Sequence, residues 1–151
     1  MIPFRLQPPA PALRQGYRLL ENDALDAEAL NRLLAKVGEP WRRADCWQQV
    51  LTRSTWHFAV VREPDALVGF VRITSDMALN ANLWDLCADP DDANCGQIYA
   101  VLVGSALNRL RRELSGCSIS LAAPPAALEA LKQHGFVIDP GGIRAMGLRL
   151  S

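Results

Sequence analysis

The sequence has few residues of the types that build metal centres and disulfide frameworks. It contains two histidines and four cysteines, and Cys46, Cys87, Cys95 and Cys117 form no Cys-x-x-Cys pair. Zinc ligands in proteins are usually spaced as such pairs, a few residues apart. We therefore expect no metal site and no disulfide framework.

The chain also lacks an excess of charge of either sign and lacks a long apolar run. Its 16 Lys and Arg residues balance 16 Asp and Glu residues, so its net charge favours neither nucleic acid nor an acidic membrane as a partner. No apolar stretch approaches the roughly 20 residues of a membrane-spanning helix. The proline-rich start, Met1 to Pro11, does not follow the charged-then-apolar pattern of a signal peptide. These features predict a cytoplasmic protein with no nucleic-acid or membrane partner.

The patterns that are present alternate between strand and helix. We divide the chain into an N-terminal tail, 1–15, and one domain, 16–151. Predicted strands cover 17–21, 56–62, 67–74, a buried segment from Leu83, 117–122 and 144–150, and predicted helices cover 26–37, 45–53, a long helix to about 114, and 125–133. The order βααβββαβαββ indicates an α/β (α+β) fold, with a mixed central sheet of six or seven strands flanked by four helices.

The most informative segment runs from Leu83 to Leu110. It combines a buried strand, a short polar turn with one glycine, Gly96, and a long helix with an apolar face. Such a turn directs the free N–H groups of the helix N-terminus at whatever binds there, which favours an anionic ligand. This segment is therefore the predicted ligand site.

Several motifs occur in a consistent order: Gly69–Asp76, Asn80–Leu86, Asp89-Pro90, Gly135-Phe136 and Asp139–Met146. With them, the chain from about Gly16 onward resembles the GNAT superfamily, and within it a bacterial and plastid branch that includes arylalkylamine (serotonin-type) and protein-lysine acetyltransferases. The resemblance implies a GNAT fold, acetyl-CoA as cosubstrate, and a primary amine of a small molecule or a protein as acceptor. The protein would be a monomer or a homodimer.

The resemblance also implies where acetyl-CoA binds. The Leu83 and Cys117 strands should be parallel and diverge toward Cys87, so that the backbone of Leu86, Cys87 and Ala88 can bind the pantetheine arm. The phosphate-binding turn falls on Ala93, Asn94, Cys95, Gly96, Gln97 and Ile98, where backbone amides should face the pyrophosphate.

The chain departs from the family pattern at several of these positions. Of the turn pattern only Gly96 is kept: Ala93 replaces a basic or amide residue, Ile98 replaces a small one, and Asp91-Asp92 add negative charge. The family's general acid, a tyrosine that protonates the CoA thiolate, corresponds to Leu131, which cannot transfer a proton.

Asp85 is the predicted catalytic residue, a base that deprotonates the acceptor amine directly or through water. An ion pair with a nearby arginine is an equally good interpretation of this residue. The departures likewise leave two functions open. The chain is an acetyl-CoA-dependent N-acetyltransferase with a degenerate cofactor loop, or a catalytically inactive GNAT-fold module that binds a ligand or a protein.

Overall fold

The structure is a computed structural model that describes residues 10–150, so most of the predicted N-terminal tail lies outside it. Five strands and four α-helices follow one another, with short 3₁₀ turns at Pro125–Ala127 and Pro140–Gly142. The strands are β1 (Tyr17–Glu21), β2 (Trp56–Arg62), β3 (Ala66–Ser75), β4 (Asn80–Ala88) and β5 (Ser118–Ser120). The helices are α1 (Ala27–Ala35), α2 (Ala44–Arg53), α3 (Cys95–Glu113) and α4 (Leu128–Gln133). Within these residues no helix is both long enough and apolar enough to cross a bilayer.

The strands form one mixed sheet in the order β1-β2-β3-β4-β5. Strands β1 to β4 are antiparallel to their neighbours, and β5 is parallel to β4. The parallel pair follows from the connection, because α3 returns the chain to the starting edge before β5 begins. The predicted mixed α/β fold with four helices is confirmed, but the described sheet has five strands instead of six or seven.

The difference in strand number arises at the C-terminus. The predicted strand 144–150 is not formed: this segment is irregular and fully exposed, and Met146, Leu148 and Leu150 are 95%, 89% and 86% exposed. Its alternating apolar residues suit a strand, but a strand also needs a neighbour to complete its hydrogen bonds. Among residues 10–150 the segment has no such neighbour.

The sheet separates two apolar cores. Helices α1 and α2 cover one face, where Leu30, Trp47 and Phe70 are buried together. Helices α3 and α4 cover the other face, where Leu102 is fully buried in the larger core. The buried Trp47 indole donates to Asn31 Oδ1 at 2.9 Å, so the polar atom of this core residue is satisfied.

Candidate functional site

Strands β4 and β5 are paired only where they begin. Asn80–Asn82 lie opposite Ser118–Ser120. β5 ends at Ser120, whereas β4 continues to Ala88. Beyond Asn82 this edge of β4 has no strand partner among the described residues, so an extended ligand could add to it as a strand does. The predicted parallel pairing is confirmed, and it stops well before β4 reaches Cys87.

A β-bulge interrupts β4 beside this gap. Phe70 of β3 lies opposite Cys87, but Arg72, two residues further along β3, lies opposite Trp84, three residues back along β4. The extra residue on β4 accompanies a positive φ of 55° at Asp85, which is uncommon for any residue but glycine. Bulges redirect side chains next to functional sites, and this one turns Asp85 toward Arg72.

At the end of β4, only backbone groups are available to a ligand in the gap. The side chains of Leu86, Cys87 and Ala88 are all buried, so only their backbone groups face the gap. Burial, followed by the nearby charge of Asp85, raises the pKa of the Cys87 thiol far above its usual range. Cys87 therefore stays protonated and is not a nucleophile.

Asp85 forms the ion pair that was the alternative interpretation of this residue. Arg72 Nε donates to Asp85 Oδ2 at 2.5 Å, and the Arg72 guanidinium lies 5.7 Å from the ring centre of Trp84. The Trp84 indole donates in turn to Thr74 Oγ1 at 2.7 Å. Asp85 Oδ1 has no partner among the described residues, so one carboxylate oxygen remains free to accept a proton from a ligand.

Of the five backbone amides from Asn94 to Ile98, three are already engaged within the protein. These are Asn94 N to Asp92 Oδ1 at 2.8 Å, Cys95 N to the Asp92 carbonyl at 3.1 Å, and Ile98 N to the Asn94 carbonyl at 2.9 Å. Within the described chain, the amides of Gly96 and Gln97 have no acceptor. The anion site that the sequence predicted is thus reduced to two adjacent donors at the N-terminus of α3.

The side chains of Ile98 and Leu131 lie in the core and not at the predicted cofactor surface. Ile98 is fully buried and Leu131 nearly so. A Cβ atom added to Gly69 would lie only 2.5 Å from Ile98 Cγ2, so Gly69 of β3 makes room for this isoleucine. The branched side chain at position 98 therefore packs in the core against β3.

The acidic turn between β4 and α3 is held by partners distant in sequence. Asp92, whose side chain is fully buried, accepts from Arg62 Nη1 at 2.6 Å and from the Tyr17 hydroxyl at 2.9 Å. Asn94 Nδ2 donates to the same hydroxyl at 2.9 Å. This Asp92 network, made of Tyr17, Arg62, Asp92 and Asn94, fixes the turn just before the two free amides.

Lys36, just after α1, neutralises the other side of the turn. Its Nζ lies 2.8 Å from Asp89 Oδ2 and 3.3 Å from Asp91 Oδ2. Burial, the largest single influence, raises the pKa of Asp89, but the hydrogen bonds from Lys36 and the Asp91 amide and the positive charges of Lys36 and Arg62 together outweigh it, and the pKa is lowered. Three carboxylates and two cations then leave a formal charge of −1 beside the free amides, which opposes phosphate binding less than the sequence suggested.

Sequence reasoning missed Tyr17, Lys36, Arg62 and Tyr99. The first three lie 75, 53 and 30 positions before their partners in the turn. No local sequence pattern predicts a contact between residues so far apart. Tyr99 places its phenol near the end of β4: burial raises its pKa, opposed by a hydrogen bond with the Ala88 backbone. A tyrosine one turn into an apolar helix looks like a core residue in the sequence.

A cavity of about 510 Å³ is separate from this site. It lies between the C-terminal half of α3, the start of β5 and Phe136. None of the residues of the gap, the bulge or the acidic turn lines it. We therefore assign it no part in the candidate site.

Comparison with known proteins identifies the family, although no family model matches the chain. An uncharacterized N-acetyltransferase, ycf52, from Pyropia yezoensis is 32% identical over 132 residues, which cover 85% of this chain and 74% of that protein. The chain belongs to the GNAT family of N-acetyltransferases. The chloroplastic GCN5-related N-acetyltransferase 1 of Arabidopsis thaliana is 34% identical over 82% of this chain and 62% of its own length.

Solved structures show the same fold. A Staphylococcus aureus protein of unknown function, described as a probable acetyltransferase, superposes with a TM-score of 0.76 over 89% of this chain and 99% of its own. Only 15% of the residues are identical, so this likeness concerns the fold alone. The GNAT family predicted from the motifs is confirmed.

Proposed function

We propose that this protein transfers the acetyl group of acetyl-CoA directly to a primary amine of a small molecule or of a protein lysine. The amine nitrogen attacks the thioester carbonyl, a C–N bond forms, and the C–S bond breaks. The CoA thiolate leaves and takes up a proton. The observation that carries the proposal is the bulge at Asp85, next to the point where β4 and β5 separate.

The residues at the gap fit an acyl-CoA. The free edge of β4 suits an extended pantetheine arm, and the free amides of Gly96 and Gln97 suit a pyrophosphate. Asp85 Oδ1 accepts the proton that the attacking amine loses, while Arg72 holds the other oxygen. Leu131 is buried in the core and supplies no proton, so water protonates the thiolate, which is a good leaving group even without a positioned acid.

Relatives support both classes of acceptor. Proteins named serotonin N-acetyltransferase 2 of rice and histone acetyltransferase TAP1 of soybean are each 33% identical over 132 residues. Some relatives, such as the Arabidopsis protein, are named chloroplastic, so the cytoplasmic location of this chain stays a prediction.

A second function is favoured by specific features of the site. A GNAT-fold module that binds a ligand without turnover would need neither a proton donor at position 131 nor a neutral turn. The buried Leu131 and the formal charge of −1 beside the free amides fit this alternative.

Calorimetry with acetyl-CoA and with CoA tests the binding half of the proposal. Ala93 is exposed on the acidic turn, so Ala93→Arg adds a cation near the phosphates and should lower the Kd about 3- to 10-fold at low salt. The matched control is Ala24→Arg, at an exposed alanine just after β1. This alanine lies far from the acidic turn: its neighbour Asn22 contacts His57 near the start of β2, whereas the turn contacts Arg62 at the end of β2. If both variants change the Kd equally, the turn is not the phosphate site.

Turnover of an amine panel at saturating acetyl-CoA separates the two functions. Loss of a positioned base should make Asp85→Asn about 10²-fold slower, whereas Glu28→Gln, which alters an exposed carboxylate of α1, should change nothing. Binding of acetyl-CoA without turnover of any amine would establish the inactive module and refute the enzyme.

A further inference from the structure

A second recess, of about 250 Å³, lies between the end of α2 and β3, on the sheet face toward which Asp85 turns. Its walls are Cys46, Gln49, Val50, Arg53, Ser54, Arg72 and Thr74. Sites that enclose a whole drug-sized ligand usually measure about 300–1,000 Å³. This recess therefore suits one end of a ligand whose remainder extends along the sheet.

The residues that line the recess include two arginines, Arg53 and Arg72, and no aspartate or glutamate. Arg72 uses Nε for Asp85, which leaves its terminal nitrogens without a partner in the described part of the chain. Arg53 has no acidic partner among residues 10–150, and the Gln49 amide also lies on the wall. Paired guanidinium forks are the groups that best recognise a carboxylate.

The recess is also placed next to the proposed chemistry. The side chain of Arg72 reaches from the wall of the recess to Asp85 Oδ2 at 2.5 Å. A ligand anchored in the recess by an anionic group therefore extends past Arg72 toward the free oxygen of Asp85 and the gap beyond it. The exposed face of Trp84, which packs against Arg72, borders this path.

We propose that the recess binds the carboxylate of the acceptor, and that the acceptor is a small amine with a carboxylate close to its nitrogen, as in an α-amino acid. The inference rests on the proposed acetyl transfer, since it names the substrate class for the same site. Arg53 and Arg72 hold the carboxylate, and the amine lies at Asp85. The amine nitrogen then attacks the thioester carbonyl, Asp85 takes the amine proton, and the CoA thiolate leaves.

Matched pairs of amines test this assignment. Phenylalanine and phenethylamine differ only in the carboxylate, as do norvaline and butylamine, and phenylalaninamide keeps the shape of phenylalanine without its charge. We expect kcat/KM to favour the acid of each pair by about tenfold or more, the discrimination that a hydrogen bond to a charged group supplies. Arg53→Gln should lower the ratio of acid to amine about tenfold relative to the parent, and the comparison of parent with variant cancels the differing basicity of the amines.

The matched control is Arg32→Gln, because Arg32 is an exposed arginine that pairs with Glu28 on α1 and does not line the recess. It should leave the ratio unchanged, and a thermal melt shows that both variants fold. Acetylation of amines with no preference for the acid, or with a preference that Arg53→Gln does not alter, overturns the assignment and leaves the proposed acetyl transfer standing.

A binding measurement decides the case in which no amine is acetylated. Saturation-transfer NMR with phenylalanine and phenethylamine reports contact with the protein without turnover. Stronger saturation of phenylalanine, lost in Arg53→Gln, supports a carboxylate site even where acetyl transfer fails. Equal saturation of both compounds, or none, overturns it.

Discussion

The acidic turn after β4 and the C-terminal segment 143–150 contrast in composition and in structure. The turn, residues 89–94, is polar, yet the side chains of Asp89 and Asp92 are buried and paired with Lys36 and Arg62. The segment 143–150 is rich in apolar residues, yet all of it is exposed. A segment therefore packs against the fold when its side chains find hydrogen-bonding, ionic or apolar contacts there, and a high content of apolar residues alone does not provide such contacts.

The largest effect should come from breaking the Asp92 network. Arg62→Met leaves the fully buried Asp92 carboxylate without its cation, which costs about 3–5 kcal/mol in a buried pair. Because the Arg62 side chain is 44% exposed, we expect a loss of about 2–4 kcal/mol of unfolding free energy. Denaturant titration measures it, and the loss should be accompanied by weaker acetyl-CoA binding.

Two variants sharpen this measurement. Asp92→Asn added to Arg62→Met removes the unpaired charge and should recover part of the stability. Arg32→Met breaks the ion pair with Glu28, in which the side chains of Arg32 and Glu28 are 58% and 67% exposed. It should lower the unfolding free energy by less than about 0.5 kcal/mol. An Arg62→Met loss as small as that of Arg32→Met would mean that the network does not hold the turn.

The sheet up to α4 could be predicted closely because its signals are local. The strands Tyr17–Glu21 and Trp56–Arg62 have the predicted limits, since β-branched and aromatic residues are bounded by clear turns. Asp26, the first residue of the predicted helix 26–37, caps α1 and accepts from the Ala29 amide at 2.9 Å. Helix α4 ends at Gln133, the predicted limit, and His134 is its C-cap.

The candidate site was predictable only in outline. The position of the gap and of the turn at Gly96 follow from the motifs, but the bulge at Asp85 depends on how β3 and β4 pair. The contacts of Tyr17 and Arg62 with Asp92 depend on the assembled sheet. The packing of Ile98 against Gly69 also depends on the assembled sheet, because Gly69 lies 29 positions earlier in the sequence, on β3. Contacts between residues so far apart in the sequence produce no periodic pattern from which they could be predicted.

The smallest effect should come from removing the exposed segment. A chain that stops after Gly142 loses Ile143, Met146, Leu148 and Leu150, which are 71–95% exposed. It also loses an exposed pair between Arg144 and Asp139, 3.4 Å apart. Because little apolar area returns to water, we expect the unfolding free energy to change by less than about 1 kcal/mol.

A second truncation locates the boundary between the packed and the exposed part of the chain. Stopping after Gly135 also removes Phe136, which packs against the larger core and whose amide donates to the Leu131 carbonyl at 3.1 Å. Its half-buried ring should make this truncation cost about 1–2 kcal/mol more than the first. A loss above about 2 kcal/mol for the chain ending at Gly142 would contradict the structure, since it would mean that 143–150 packs in solution as the strand its alternation predicts.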